Sequence, residues 1–501
     1  METFLPLLAL VGAVIVVSAL LSGWVDRTGV PQVAVFLALG ALIGPFGFNL
    51  LDAAADSQIL TVVATLSLVL VLFTDAVSLD LKEVREHRLL ASLVLGPGTL
   101  VSTIFIAAAA WYLLGLSIPM AAILGAAIAS TDPVLLRGVL RRPALDNSVR
   151  QALRLESGLN DVVLLPVVLV AMEILTRGGS LSGGEWGRLA VNMLILSPGA
   201  GIVVGLVGVS ALEMVRKRSG VRRDYESTYS IGLAFAAYAA AESGHGSGFI
   251  AAFAAGLTIS AFDAELCDCF LEYGETTAEM ALLFTFVLFG TSIIWSGVAA
   301  ASGVAIVFTV AALLLRPLVY VPALIPAPLS WTNRAMIGWF GPRGLSSLLL
   351  VMLPVIAGIE GSGYLLQICC LVVLVSVVLH GFSPMLLIRG ERATPVPAPA
   401  PAAIAPAAGV HGTRDPQQPA PSTITIDEYL AQVQAGAAVV LVDSRSERTY
   451  HDTDPVPSSI RVHPDHAGAD ARRNQLSTAA TLVVFCAFDR TRRRAPVWRS
   501  S

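Results

Sequence analysis

Runs of about twenty apolar residues recur from the N-terminus to about residue 390, and no other feature restricts the fold of this chain so severely. A bilayer core of roughly 30 Å is crossed by about 20 helical residues, and a backbone in hydrocarbon must satisfy its own hydrogen bonds. The expected fold class is therefore an all-α polytopic membrane protein over this region. About thirteen spans can be drawn, at 3–22, 30–50, 58–77, 89–115, 119–140, 148–175, 190–214, 226–243, 246–262, 277–297, 300–325, 334–357 and 364–388. Composition agrees: the 501 residues are 55% hydrophobic and 14% charged, whereas soluble domains carry about 25% charged residues. A net charge of -4, with the basic residues in loops rather than on one stripe, gives no footprint for nucleic acid. Met1 to Leu21 lacks a basic start and a small-residue cleavage site, so it reads as a retained first span. The five cysteines, Cys267, Cys269, Cys369, Cys370 and Cys486, form neither a disulfide framework nor a metal-ligand spacing, and no cofactor is expected.

Cytoplasmic loops retain Lys and Arg, so loop charge sets orientation. Alternate loops are basic: Lys82/Arg85/Arg88, then Arg137/Arg141/Arg142/Arg150, then Arg216/Lys217/Arg218/Arg222/Arg223. With an odd number of spans this puts the N-terminus outside and the C-terminus in the cytoplasm of a plasma-membrane protein, although 263–276, which should then be cytoplasmic, carries only acids. After the transmembrane domain, 1–390, comes a Pro/Ala-rich stretch (TPVPAPAPAAIAPAAG) within 391–421, which reads as an extended linker. Residues 422–501 are polar, with strand-like runs at Val439–Val442 and Leu482–Phe485 that suggest a small α/β module.

Ionisable groups inside the membrane are costly, and each is a functional candidate until a structural partner is found. In AAIASTDPVLL, Asp132 lies mid-span and Pro133 removes a backbone donor, favouring a break that would expose carbonyls and helix ends to an ion. In LRLESGLNDVVLLP, Glu156 and Asn160 share one helix face and Asp161 lies about 100° further round. One carboxylate that holds either a proton or a desolvated cation, never both, is the chemistry of an antiporter, and Asp161 fits it. Neutral oxygens for a hard cation could come from Ser157, Thr131 and the carbonyls at the break. Plainer readings exist for each group. Asp132 could merely cap a helix, Glu156 and a buried arginine could merely tie helices together, Asn160 and Asp161 could be a polar packing pair, and Arg343 could snorkel from a span end.

The segments S-T-D-P-V, E-S-x-L-N-D and W-F-G-P-R-G-L-S-S, in this order, resemble the electroneutral sodium/proton exchangers of the NhaP type over roughly residues 1–390. The resemblance implies inverted repeats with broken helices, a homodimer, and exchange of sodium or another monovalent cation for protons, potassium being the alternative cargo. It places the transport carboxylate at Asp161 beside Asn160, and pairs Glu156 with a membrane-embedded arginine, assigned to Arg316 in LLLRPLVY. By the same resemblance Ser157 and the Thr131 carbonyl are cation ligands, Asp132 orients the crossing of the two broken helices, and Arg343 belongs to the core region.

The tail resembles a truncated rhodanese-like domain, which implies a thiol at Cys486 after TLVVF, with Arg490 and Arg492 close by in sequence. The rival to a secondary transporter is thus a membrane-anchored sensor or sulfurtransferase whose spans only locate the tail. A channel is the third reading. Against a simple anchor stand Asp161, Glu156 and Arg316, since an anchor gains nothing by keeping charges at membrane depth.

Overall fold

Hydrocarbon leaves a span only its own backbone for hydrogen bonding, so apolar runs become helices, and a break survives only where protein groups take over the freed N–H and C=O groups. The computed structural model describes residues 31–50, 58–79, 81–140, 142, 145–178, 182–218, 223–262 and 275–387, four residues before 31, and in the tail 422–425, 429, 439–444, 459–462, 481–485 and 494–499. It divides into two units, Met1–Arg392 and Ala393–Ser501.

The membrane unit runs α1 (Gln32–Ile43), α2 (Gln58–Ser78), α3 (Arg88–Leu114), α4 (Ile118–Ala129), α5 (Pro133–Leu140), α6 (Asn147–Thr176), α7 (Gly183–Arg216), α8 (Arg223–Ser243), α9 (Gly248–Phe262), α10 (Glu275–Thr291), α11 (Gly303–Ala323), α12 (Trp331–Trp339), α13 (Leu345–Ile356) and α14 (Ser362–Leu387). Among the described residues seven helices are long and apolar enough to cross a membrane, and Met280–Thr291 with Ile293–Ala299, bent by 55°, makes an eighth. Further apolar helices, α1, α9 and α13, are shorter. The expected span at 3–22 and the acidic loop at 263–276 lie almost wholly outside the described residues.

Two expected spans are each a pair of helices. That at 119–140 is interrupted at Ser130–Asp132, between α4 and α5, and that at 334–357 at Phe340–Gly344, between α12 and α13. Both interruptions are buried. Around them the bundle is close-packed through small residues: a side chain at Gly256 of α9 would overlap the Phe73 backbone of α2, and one at Gly201 of α7 would overlap the Ala251 backbone of α9. The run FIAAFAAGL is thus a contact surface for two neighbouring helices.

The tail unit holds a five-stranded mixed sheet, β1 (Ser422–Thr425), β2 (Val439–Asp443), β3 (Ser459–Arg461), β4 (Thr481–Phe485) and β5 (Arg494–Arg499), in the order β1-β5-β4-β2-β3. β2 pairs in parallel with β3 and β4, whereas β5 runs antiparallel to β4 and β1. Both strand-like runs of the sequence lie in this sheet. Cys486, Arg490 and Arg492 lie outside the described residues.

Candidate functional site

α6 is a 30-residue helix, started by Asp146, whose carboxylate accepts the Ser148 N–H at 2.8 Å, and carried through Pro166 without a break. The Ser148 hydroxyl and N–H hold the exposed Asp146 carboxyl below the usual carboxylate range. Glu156, Ser157, Asn160 and Asp161 all lie on the buried side of α6. Opposite them is the break between α4 and α5. Ser130 donates its hydroxyl to Asp161 Oδ1 at 2.7 Å, and Asn160 Nδ2 donates to Thr131 Oγ1 at 2.7 Å and to the Thr131 carbonyl at 3.3 Å. Asn160 Oδ1 is buried with no hydrogen-bond partner among the described residues. Ser157, one turn before Asp161, donates back to the Arg154 carbonyl at 3.3 Å.

Each break leaves two helix ends facing each other, one with orphan carbonyls and partial negative charge, the other with orphan N–H groups and partial positive charge. Asp132 serves both positive ends. Its Oδ1 accepts the N–H groups of Val134 (2.8 Å) and Leu135 (3.3 Å) at the start of α5, and its Oδ2 accepts that of Leu345 (2.5 Å) at the start of α13. Its own N–H donates to the Pro342 carbonyl at 3.0 Å, tying the two breaks together. The negative ends each receive an arginine. Arg343 Nη1 donates to the Ala129 and Ser130 carbonyls (2.8 and 3.1 Å) at the end of α4. Arg316 of α11 donates to the Gly338 and Ile337 carbonyls (both 3.1 Å) at the end of α12. Snorkelling does not describe Arg343, which is 1% exposed. Two glycines let these charges approach: a Cβ at Gly341 would overlap the Arg316 guanidinium, and one at Gly344 the Asp132 carboxylate.

Arg316 also forms a two-pronged ion pair with Glu156, Nη1 to Oε1 at 2.5 Å and Nη2 to Oε2 at 2.8 Å. Its guanidinium lies 4.1 Å from the ring centre of Tyr320, whose hydroxyl is 3.0 Å from Thr99 Oγ1 in the π-helical turn of α3. The structure therefore gathers Glu156, Asn160, Asp161, Thr131, Asp132, Arg316 and Arg343 around the two breaks, with Ser157 one turn along α6. Sequence reasoning passed over Ser130, Tyr320 and Thr99. Ser130 closes an Ala-rich run and reads as a packing residue, but the place of Tyr320, one turn after Arg316 on the same helix, is a usable signal.

A family pattern described as sodium/hydrogen exchanger, transmembrane, matches residues 16–388, nearly the whole membrane unit. The chain belongs to the sodium/hydrogen exchanger family. It is a multi-pass membrane protein of a transporter family, not of an enzyme family. This exchanger is 23% identical over 395 residues to the K(+)/H(+) antiporter NhaP of Alkalimonas amylolytica, across 76% of its own length and 66% of that protein. It is 27% identical over 410 residues to the K(+)/H(+) antiporter NhaP2 of Shewanella sp. (strain MR-4), across 78% and 68%. It thus spans about two thirds of the length of these relatives. The structure of the sodium proton antiporter MjNhaP1 from Methanocaldococcus jannaschii at pH 8 superposes with a TM-score of 0.63 at 20% identity, covering 78% of this exchanger and all of that chain, and so shares its fold.

Proposed function

We propose that this exchanger is a monovalent cation/proton antiporter in which a proton and a cation compete for Asp161. The observation that carries the reading is a charge count at the two breaks. The carboxylates of Asp132, Glu156 and Asp161 face the guanidiniums of Arg316 and Arg343, all five buried, which leaves one negative charge uncompensated. Asp132 and Glu156 are already engaged by helix ends and by Arg316, so the excess falls on Asp161, which among the described residues is held by the neutral Ser130 hydroxyl. One proton or one monovalent cation restores neutrality, and both together overshoot it. That supports one-for-one, electroneutral exchange. A cation at Asp161 would draw neutral oxygens from Ser157, the Thr131 carbonyl and the unpartnered Asn160 Oδ1. A sulfurtransferase anchor needs none of these buried charges.

Sodium is the proposed cargo. Potassium is the second reading, favoured by the names of the two relatives quoted above, both K(+)/H(+) antiporters. From the resemblance come inverted repeats and a homodimer over 1–390 and a truncated rhodanese-like tail over 422–501; from hydropathy, composition and loop charge come about thirteen spans, a linker over 391–421, and a plasma-membrane location with the N-terminus outside. The test is cation-induced dequenching of a pH dye in everted vesicles, with sodium and potassium salts in parallel. Asp161→Asn should abolish the signal while the protein still inserts, because an amide neither titrates nor balances the ion's charge. In the native protein the apparent cation affinity should weaken as pH falls and level off at alkaline pH. Substantial exchange by Asp161→Asn, or an affinity independent of pH, would refute the shared site.

A further inference from the structure

The segment Phe340–Gly344 is irregular, buried backbone between two helices, and most of its polar groups must find partners on other elements. Asp132 serves the Pro342 carbonyl and the Leu345 N–H, and Arg316 the carbonyls just before the break. The N–H of Arg343 goes elsewhere. It donates to Ser376 Oγ of α14 at 2.7 Å, and Ser376 Oγ is in turn 3.0 Å from His380 Nδ1. Besides the lone pair that accepts from Arg343, the serine oxygen keeps an O–H and a second lone pair, so it pairs with Nδ1 in either ring tautomer. The imidazole ring lies 5.5 Å from the Trp339 indole. Trp339 Nε1 donates to Ser383 Oγ at 3.1 Å. Ser376, His380 and Ser383 thus form one polar stripe on the C-terminal turns of a largely apolar helix, turned to Trp339 and the break.

From this stripe the contacts continue to the site. Arg343 holds the Ser130 carbonyl through its side chain, and the Ser130 hydroxyl donates to Asp161. We propose that Ser376 and His380 are positioning residues for ion binding: neither touches the cation, but in series they fix the Arg343 main chain and through it the oxygen donors around Asp161. The inference rests on Asp161 being the exchange site. If His380 were only a filler beneath Trp339, its loss would lower stability and leave cation affinity alone.

The test uses the full-length protein in vesicles and separates apparent cation KM from maximal rate. Ser376→Ala removes one buried hydrogen-bond partner with little change of shape, and should raise KM about five- to tenfold with a smaller effect on rate. His380→Leu should raise KM to a similar extent. Because the two residues act in series, the double variant should be no worse than the more impaired single. His380→Asn places a side-chain amide, able to donate or accept, where Nδ1 stood, and should return KM to within about twofold of the native value. A native KM in Ser376→Ala, additive effects in the double variant, or an Asn variant as impaired as the Leu variant would each overturn the proposal. Should His380→Leu fail to insert, Ser376→Ala and His380→Asn decide alone. A native protein without exchange, or an active Asp161→Asn, would instead refute the site reading, whereas an intact site reading with an unaffected Ser376→Ala refutes only the positioning role.

Discussion

Arg316 does two jobs with one guanidinium, neutralising Glu156 and holding the carbonyl end of α12. Neutralising either partner strands a charge where water is scarce, at a cost of roughly 3–5 kcal/mol, while removing both costs less than the sum. Melting curves of purified Glu156→Gln, Arg316→Met and the double variant should therefore show strong non-additivity, with Arg316→Met the worse single because it also frees the α12 carbonyls. Strictly additive losses would contradict the pairing. At this scale the sequence was informative for charges and poor for hydroxyls. A carboxylate or guanidinium in an apolar run cannot be ignored, so Glu156, Asp161, Arg316 and Arg343 stood out. Ser130 and Ser376 did not, because a serine among alanines and valines can satisfy itself on its own helix, and only tertiary geometry shows that these two reach across.

For the helices, hydropathy located the spans but not the second break. Proline did not announce it: Pro166, Pro317, Pro322 and Pro354 all lie inside continuous helices. What distinguishes Pro342 is its flanking glycines, each facing a charged group that needs the space a Cβ would fill. Gly344→Ala should therefore cost about 1–3 kcal/mol by pushing against the Asp132 carboxylate. Gly232→Ala, mid-helix on α8 with open space around it, should be neutral or stabilising by up to about 1 kcal/mol. Thermal melts of the two variants side by side check this. Equal melting temperatures would mean that Gly344 is not under steric constraint.

Considered as a whole, the chain keeps every group of the candidate site within the unit Met1–Arg392. Deleting 393–501 should leave cation/proton exchange in vesicles intact, with at most an altered pH or ligand dependence. A truncated protein that inserts normally yet shows no exchange would make the tail part of the mechanism. The Asp132 cap has a further consequence, in the order of synthesis. The N–H that completes it belongs to Leu345, 213 residues later, and the guanidinium that neutralises Glu156 comes 160 residues after it. At roughly 5–20 residues per second, a nascent chain waits on the order of ten to forty seconds between making Asp132 and making its partner. Throughout that interval Asp132 holds only the α5 end of the crossing and Glu156 lacks its guanidinium, so the first half alone cannot complete the site. Assembly of the crossing is a late event, and the first broken helix has to be kept inserted by its apolar neighbours until the last spans arrive.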